Sequence, residues 1–242
     1  MASAYYLESR SPRYAILFAA PLLAAYEVVA WALTPSSGAA VRNGADVMLK
    51  SPFVHLLGPR GAIAFDAVLV AVGVALVARD WRRHPGRLRG RVFAVMLVES
   101  LALAVLVGVV LRYATATMLH FFSLAIPPAL GVPTQVMVSL GAGIYEELLF
   151  RVILVGAMSW CALRLLRMTP RGATVFAVIT SAVIFSAFHY VGVYGDTLQL
   201  SSFVFRMLAG IVFSVLYVTR GFGITAWTHT IYDLLVTLAG VG

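Results

Sequence analysis

The sequence predicts an all-α, polytopic transmembrane bundle of about seven helices. Of its 242 residues, 61% are hydrophobic and only 12% charged, with a mean hydropathy of +0.93, against roughly a quarter charged in soluble domains. Seven windows approach the roughly 20 apolar residues that a helix needs to cross the hydrocarbon: 14–33, 62–78, 92–111, 136–166, 173–190, 202–218 and 223–239. The alternating strands of a barrel are absent, which leaves bundled helices as the way to satisfy the backbone in lipid.

The first window follows Arg10 and Arg13 and runs into Thr34 with no small-residue cleavage site, so it reads as a retained helix rather than a removed signal. Residues 34–60, with "TPSSG", "KSP" and "GPRG", form an outer loop with room for a short interfacial helix. After the second window comes the basic run "RDWRRHPGRLRGR", a topology determinant that touches anionic lipid. Residues 113–133 form a second outer loop, whose "AIPPALGVP" stops helices at both edges. The fourth window is longer than one crossing requires. No internal repeat is present, and the whole of 1–242 reads as a single integral membrane domain.

The net charge of +8 does not point to nucleic acid, because of where the arginines lie. Twelve of them (Arg10, Arg13, Arg79, Arg82, Arg83, Arg87, Arg89, Arg91, Arg164, Arg167, Arg171 and Arg220) fall on one side of a seven-helix layout, and Arg42, Lys50, Arg60 and Arg112 on the other. By the positive-inside rule the amino terminus is cytoplasmic and the carboxyl terminus outside. Cys161 is the only cysteine, which excludes an intrachain disulfide and a CxxC site. Seventeen arginines to one lysine, with many Ala, Val and Gly, suit a GC-rich bacterial genome and hence a bacterial inner membrane.

The fourth window carries the chemistry. "GAGIYEELLFRVIL", residues 141–154, holds Glu146, Glu147 and Arg151 where an ionised side chain costs roughly 2.5 to 3.5 kcal/mol at a helix centre. Glu147 and Arg151, four apart with the acid first, share a face and pair. On a 3.6-residue turn Glu146 points about 100° from Glu147 and about 140° from Arg151, so it faces something else. Later windows supply it: Phe185 and His189 in "FSAFHY", then His229 and Asp233 in "HTIYDLL". If these helices converge, Glu146, His189, His229 and Asp233 form a polar cluster within an apolar bundle, a functional hypothesis by default. Counted along the helices, closing that cluster requires strong tilt or a fifth helix set deep in the bundle. Each histidine alone reads as interfacial. Arg206 is expected to pair structurally with Glu99, Asp66 or Glu27. His55, His84 and His120 read as solvated, and Gly141 and Gly143 as close-packing positions.

The ordered set EExxxR, FxxxH and HxxxD, each on a hydrophobic helix, resembles the three motifs of the CAAX-protease and bacteriocin-processing family of intramembrane endopeptidases. The resemblance covers about residues 135–240. It implies a glutamate-dependent, metal-free protease that cuts a peptide bond near the membrane surface. Glu146 would take a proton from the attacking water, with His189 positioning that water or the base. His229 and Asp233 would hold the developing oxyanion, while Glu147, Arg151 and Phe185 support them from behind. The family more often has asparagine where this chain has Asp233, which when ionised has no proton to donate. Either burial protonates Asp233, or, the reading preferred here, it accepts from one nitrogen of His229 and leaves the other as donor. The expected partners are the lipid bilayer and a membrane-associated protein or peptide: a prenylated tail, a leader peptide or a sorting anchor.

Rival chemistries fare worse. No HExxH is present for a zinc protease, although Glu146, His189 and His229 supply a two-His, one-Glu donor set. No GxSG is present for a rhomboid-type enzyme. The YD pair at Asp233 and the GD pair at Asp196 come in the wrong order for an aspartyl intramembrane protease. A transporter or a catalytically silent scaffold is the alternative of a different class, but neither a repeat nor paired broken helices marks one.

Overall fold

The computed structural model describes residues 2–34, 41–119, 131–192 and 195–238. Among these the chain is helical throughout and has no strand. A short α1 (Ala2–Ser9) precedes α2 (Pro12–Ala32), α3 (Gly44–Leu57), α4 (Arg60–Arg83) and α5 (Gly90–Leu119). A continuous helical run follows, made of α6 (Val132–Gly141), a π-helical segment (Ala142–Val155) and α7 (Gly156–Arg164). It leads to α8 (Pro170–Phe188), α9 (Leu200–Arg220) and α10 (Phe222–Leu238). All seven predicted windows are helices, and five are individually long and apolar enough to span a membrane: Pro12–Ala32, Arg60–Arg83, Gly90–Ala114, Pro170–Phe188 and Leu200–Arg220. The chain is a polytopic membrane protein. Of the break expected at 113–133, residues 113–119 instead continue α5 and 132–133 begin α6, and 120–130, with His120, lie outside the described residues.

Helix α2 shows how the sequence makes an element here. Pro12 sits at the first helical position, where its missing N–H costs nothing. Tyr14, Phe18, Leu22 and Tyr26, spaced by four, then form one buried stripe. That stripe packs on α10, the hub of the bundle, which also meets α5, α6, α9 and the π-helical segment. Hub packing demands close approach. A Cβ on Gly143 would lie 2.6 Å from the Ala226 carbonyl oxygen, and one on Gly223 would lie 2.7 Å from that of Ala15. The glycine in the EExxxR stretch is therefore a packing device, as its sequence context suggested.

The two ends of the bundle differ in chemistry. At one end, Arg10 donates to the Val218 carbonyl at 3.0 Å, Arg13 to that of His84 at 2.7 Å, and Tyr6 to that of Thr219 at 2.7 Å. These bonds tie the amino terminus to the α4–α5 connection and to the end of α9, the ends that carry the arginines. At the other end, α3 is anchored by charge. Lys50 reaches Glu27 at 2.9 Å, Asp46 at 2.9 Å and Asp66 at 3.0 Å, while Arg42 bridges Glu27 and Asp46. Burial alone would push the Lys50 pKa down, but the Asp46 and Glu27 carboxylates hold it above the ordinary lysine value.

The pairing expected for Arg206 is corrected here. Arg206 pairs with Asp196 in the α8–α9 connection, because Lys50 already takes Glu27 and Asp66, and Arg220 takes Glu99. His55 is exposed as expected. His84 is exposed too, with its Nδ1 3.2 Å from Asp80.

Candidate functional site

The π-helical segment sets the geometry. Its turn is wider than 3.6 residues, because each N–H reaches back five residues rather than four, so residues five apart come onto one face. Gly141 and Glu146 are such a pair, and both meet Asn43. A Cβ on Gly141 would stand 2.6 Å from the Asn43 Cβ, and Asn43 Nδ2 donates to Glu146 Oε1 at 2.9 Å. A 3.6-residue turn would have placed these positions about 140° apart. The orientation expected for Glu146 is therefore revised: it faces the start of α3.

Asn43 was missed because the short helix expected within residues 34–60 was not given a start; α3 supplies it at Gly44. The available signal was Asn43 followed three residues later by Asp46, the composition of a helix amino terminus. Asn43 is the N-cap of α3, its Oδ1 accepting from the Ala45 N–H at 2.9 Å. That capping bond fixes which way the amide points, and so leaves Nδ2 for Glu146. Exchange of Asn43 for Ser, which caps equally well but does not reach the carboxylate, is expected to leave thermal stability within about 1 kcal/mol and still to depress turnover. Thermal unfolding in detergent beside a cleavage assay checks both halves, and full activity in the variant would mean that this hydrogen bond is dispensable.

Glu147 is fully buried and holds two partners. Arg151 Nη1 lies 3.3 Å from its Oε1, the pairing expected from their spacing. His229 Nδ1 lies 2.7 Å from the same oxygen, a contact the sequence did not suggest. The Arg151 guanidinium is itself 0% exposed. It is packed over the Phe185 ring at 4.5 Å and the Phe213 ring at 5.7 Å, so two aromatic faces supplement a single carboxylate.

His229 stacks on Phe213 with centroids 4.2 Å apart, which fixes its ring plane. Its Nε2 lies 3.6 Å from Asp233 Oδ2, within ion-pair distance but beyond a hydrogen bond. The preferred reading, in which Asp233 accepts from one ring nitrogen and frees the other, is thus corrected. Glu147 takes Nδ1, and Nε2 is the nitrogen without a hydrogen bond.

His189 caps α8. Its backbone N–H bonds to the Ser186 carbonyl three residues back, which frees the Phe185 carbonyl to accept from the ring Nδ1 at 2.9 Å. A carbonyl only accepts, so Nδ1 carries the proton and Nε2 of the neutral ring keeps its lone pair. The Phe185 ring stands edge-on to His189 at 4.9 Å. Phe150, four residues after Glu146, packs on Phe185 and Phe188 beside His189, and Glu147 meets His229, so the helices that carry the three motifs come together. Among the described residues, no group of three His, Cys, Asp or Glu side chains is arranged to ligate a metal ion, and His229 Nδ1 is already engaged by Glu147.

Residues 128–235 match a family model described as type II CAAX prenyl endopeptidase Rce1-like. No curated protein and no solved structure matches the chain. The matched stretch contains all three motifs that carry the resemblance.

Proposed function

We propose, taking residues 128–235 as an Rce1-like type II CAAX prenyl endopeptidase region, that the protein is a glutamate-type intramembrane endopeptidase. The observation that carries this reading is the Glu146 carboxylate. It is buried at 8% exposure, held through one oxygen by Asn43, and carried by a segment that meets His229 through Glu147 and packs Phe150 against Phe185 and Phe188 beside His189.

In the reaction, a water between Glu146 and His189 gives a proton to the free Glu146 oxygen, with the His189 Nε2 lone pair accepting its other hydrogen as a hydrogen bond. The hydroxide adds to the substrate carbonyl carbon. The resulting oxyanion meets His229, which as an imidazolium donates Nδ1–H to Glu147 and Nε2–H toward the substrate; a preset donor of this kind is worth about 3 kcal/mol. Asp233 Oδ2 lies 3.6 Å from Nε2, beside that donor. When the tetrahedral species collapses, the carbon–nitrogen bond breaks and Glu146 passes its proton to the departing amine. Arg151 balances Glu147 and holds the helix rotation.

The chain sits in a bacterial inner membrane with its amino terminus cytoplasmic, as the arginine distribution supports. Its substrate is a membrane-associated protein or peptide. The test is purified protein in detergent offered a prenylated tail peptide, a leader peptide and a sorting-anchor peptide, with products read by mass spectrometry. One internal cut in at least one of them, insensitive to chelators, is expected. Intact peptides throughout would overturn the reading, and loss of cleavage on chelation would replace it with a metal-dependent one.

A further inference from the structure

We infer that the site opens on the membrane face opposite the arginine-rich end, so that the bond it cuts belongs to an exported, non-cytoplasmic segment rather than a cytoplasmic tail. This rests on the proteolytic reading for its chemistry, but on separate observations for its sidedness.

The first observation is the division of charge. The starts of α2, α5, α8 and α10 and the ends of α4, α7 and α9 share one face of the bundle. They carry twelve arginines, opposed by only Glu8, Asp80 and Glu99. The hydrogen bonds of Arg10, Arg13 and Tyr6 described above bind several of these ends together. The opposite face has only Arg42, Lys50, Arg60, Arg112 and Arg206, and Arg42, Lys50 and Arg206 are each neutralised by Glu27, Asp46, Asp66 or Asp196. Positive charge in short loops is retained on the cytoplasmic side, so the opposite face is the outer one.

The second observation is where the site residues fall. His189 follows the last residue of α8, at that outer face, and Asp196, the partner of Arg206, donates its N–H to the His189 carbonyl at 2.9 Å. Asn43 begins α3, between the outer end of α2 and the outer start of α4, and bonds Glu146 directly. Asp233 lies eleven residues into a 17-residue α10 that starts at the cytoplasmic face, about 16 Å along at 1.5 Å per residue. Asn43 and His189 thus both reach the site from outer helix ends. On the cytoplasmic side of Glu147, one turn further along the run, Arg151 is fully buried against the Phe185 and Phe213 rings.

The experiment places single cysteines in a Cys161→Ser background: Leu198→Cys, at an exposed position of the α8–α9 connection, and Arg87→Cys in the exposed basic loop. Intact cells are treated with a membrane-impermeant maleimide. Labelling of position 198 from outside, with position 87 labelled only after lysis, is expected. The reverse pattern, or equal labelling of both, would overturn the inference. In parallel, the peptides of the detergent panel are added to sealed proteoliposomes whose orientation the same labelling reports. Cleavage by outward-facing molecules is expected, and cleavage by the inverted population alone would overturn the inference. If detergent-solubilised protein cuts nothing, the proteolytic reading fails, while the labelling still decides the sidedness.

Discussion

Glu146→Gln is expected to lower kcat by about 10²- to 10⁴-fold, the usual contribution of a positioned general base. The amide matches the carboxylate in size, keeps an oxygen able to accept from Asn43 Nδ2, and removes a buried charge rather than adding one. The fold should therefore persist. What disappears is the ability to take the proton of water and return it to the leaving amine, a loss felt in the transition state, so KM should stay within about twofold. Steady-state cleavage of whichever panel peptide is cut, with thermal unfolding measured alongside, checks it. Turnover within about tenfold of the parent would remove Glu146 from the chemistry and with it the proposed mechanism.

The fold was legible in the sequence wherever lipid imposed it. Seven apolar windows could be only helices, and α2 and α8 start within a few residues of their windows, where the polar N-caps Ser11 and Thr169 precede the apolar run. Helix α3 was harder to see. Of its buried residues, Asp46 and Lys50 are charged, so its buried face is held by ion pairs rather than by an apolar stripe, and periodicity of hydrophobic residues is blind to that.

The site was legible as a set of residues but not as a set of contacts. Glu147 and Arg151 pair because spacing by four works in the widened turn as well. The partner of Glu146 could not be found by counting 100° steps, since the segment that carries it does not make them. His229 illustrates the same limit. Its four-residue spacing to Asp233 suggested their pairing, whereas the Glu147 carboxylate, 82 positions away in the chain, makes the shorter contact. Long-range partners depend on helix rotation, and here the small residues of α6 and the π-helical segment set that rotation by letting α3 and α10 come close.

Arg151→Met is expected to be among the most destabilising single changes in the chain. It leaves Glu147, 0% exposed, with His229 as its only close partner, and removal of one member of a buried ion pair typically costs about 3 to 5 kcal/mol. The loss should appear as a large drop in the thermal midpoint in detergent. The double variant Glu147→Gln with Arg151→Met separates charge from volume. Methionine fills much of the space between Phe185 and Phe213, and glutamine carries no charge that needs balancing, so most of the stability should return. Activity should not return with it. Glutamine still accepts from His229 Nδ1 but no longer favours the imidazolium, so the donor toward the substrate oxygen is weakened while the helix rotation is kept. A stable and inactive double variant beside an unstable Arg151→Met is the pattern that assigns the Glu147–Arg151 pair to both folding and chemistry. An Arg151→Met protein as stable as its parent would mean that the pair contributes little to either.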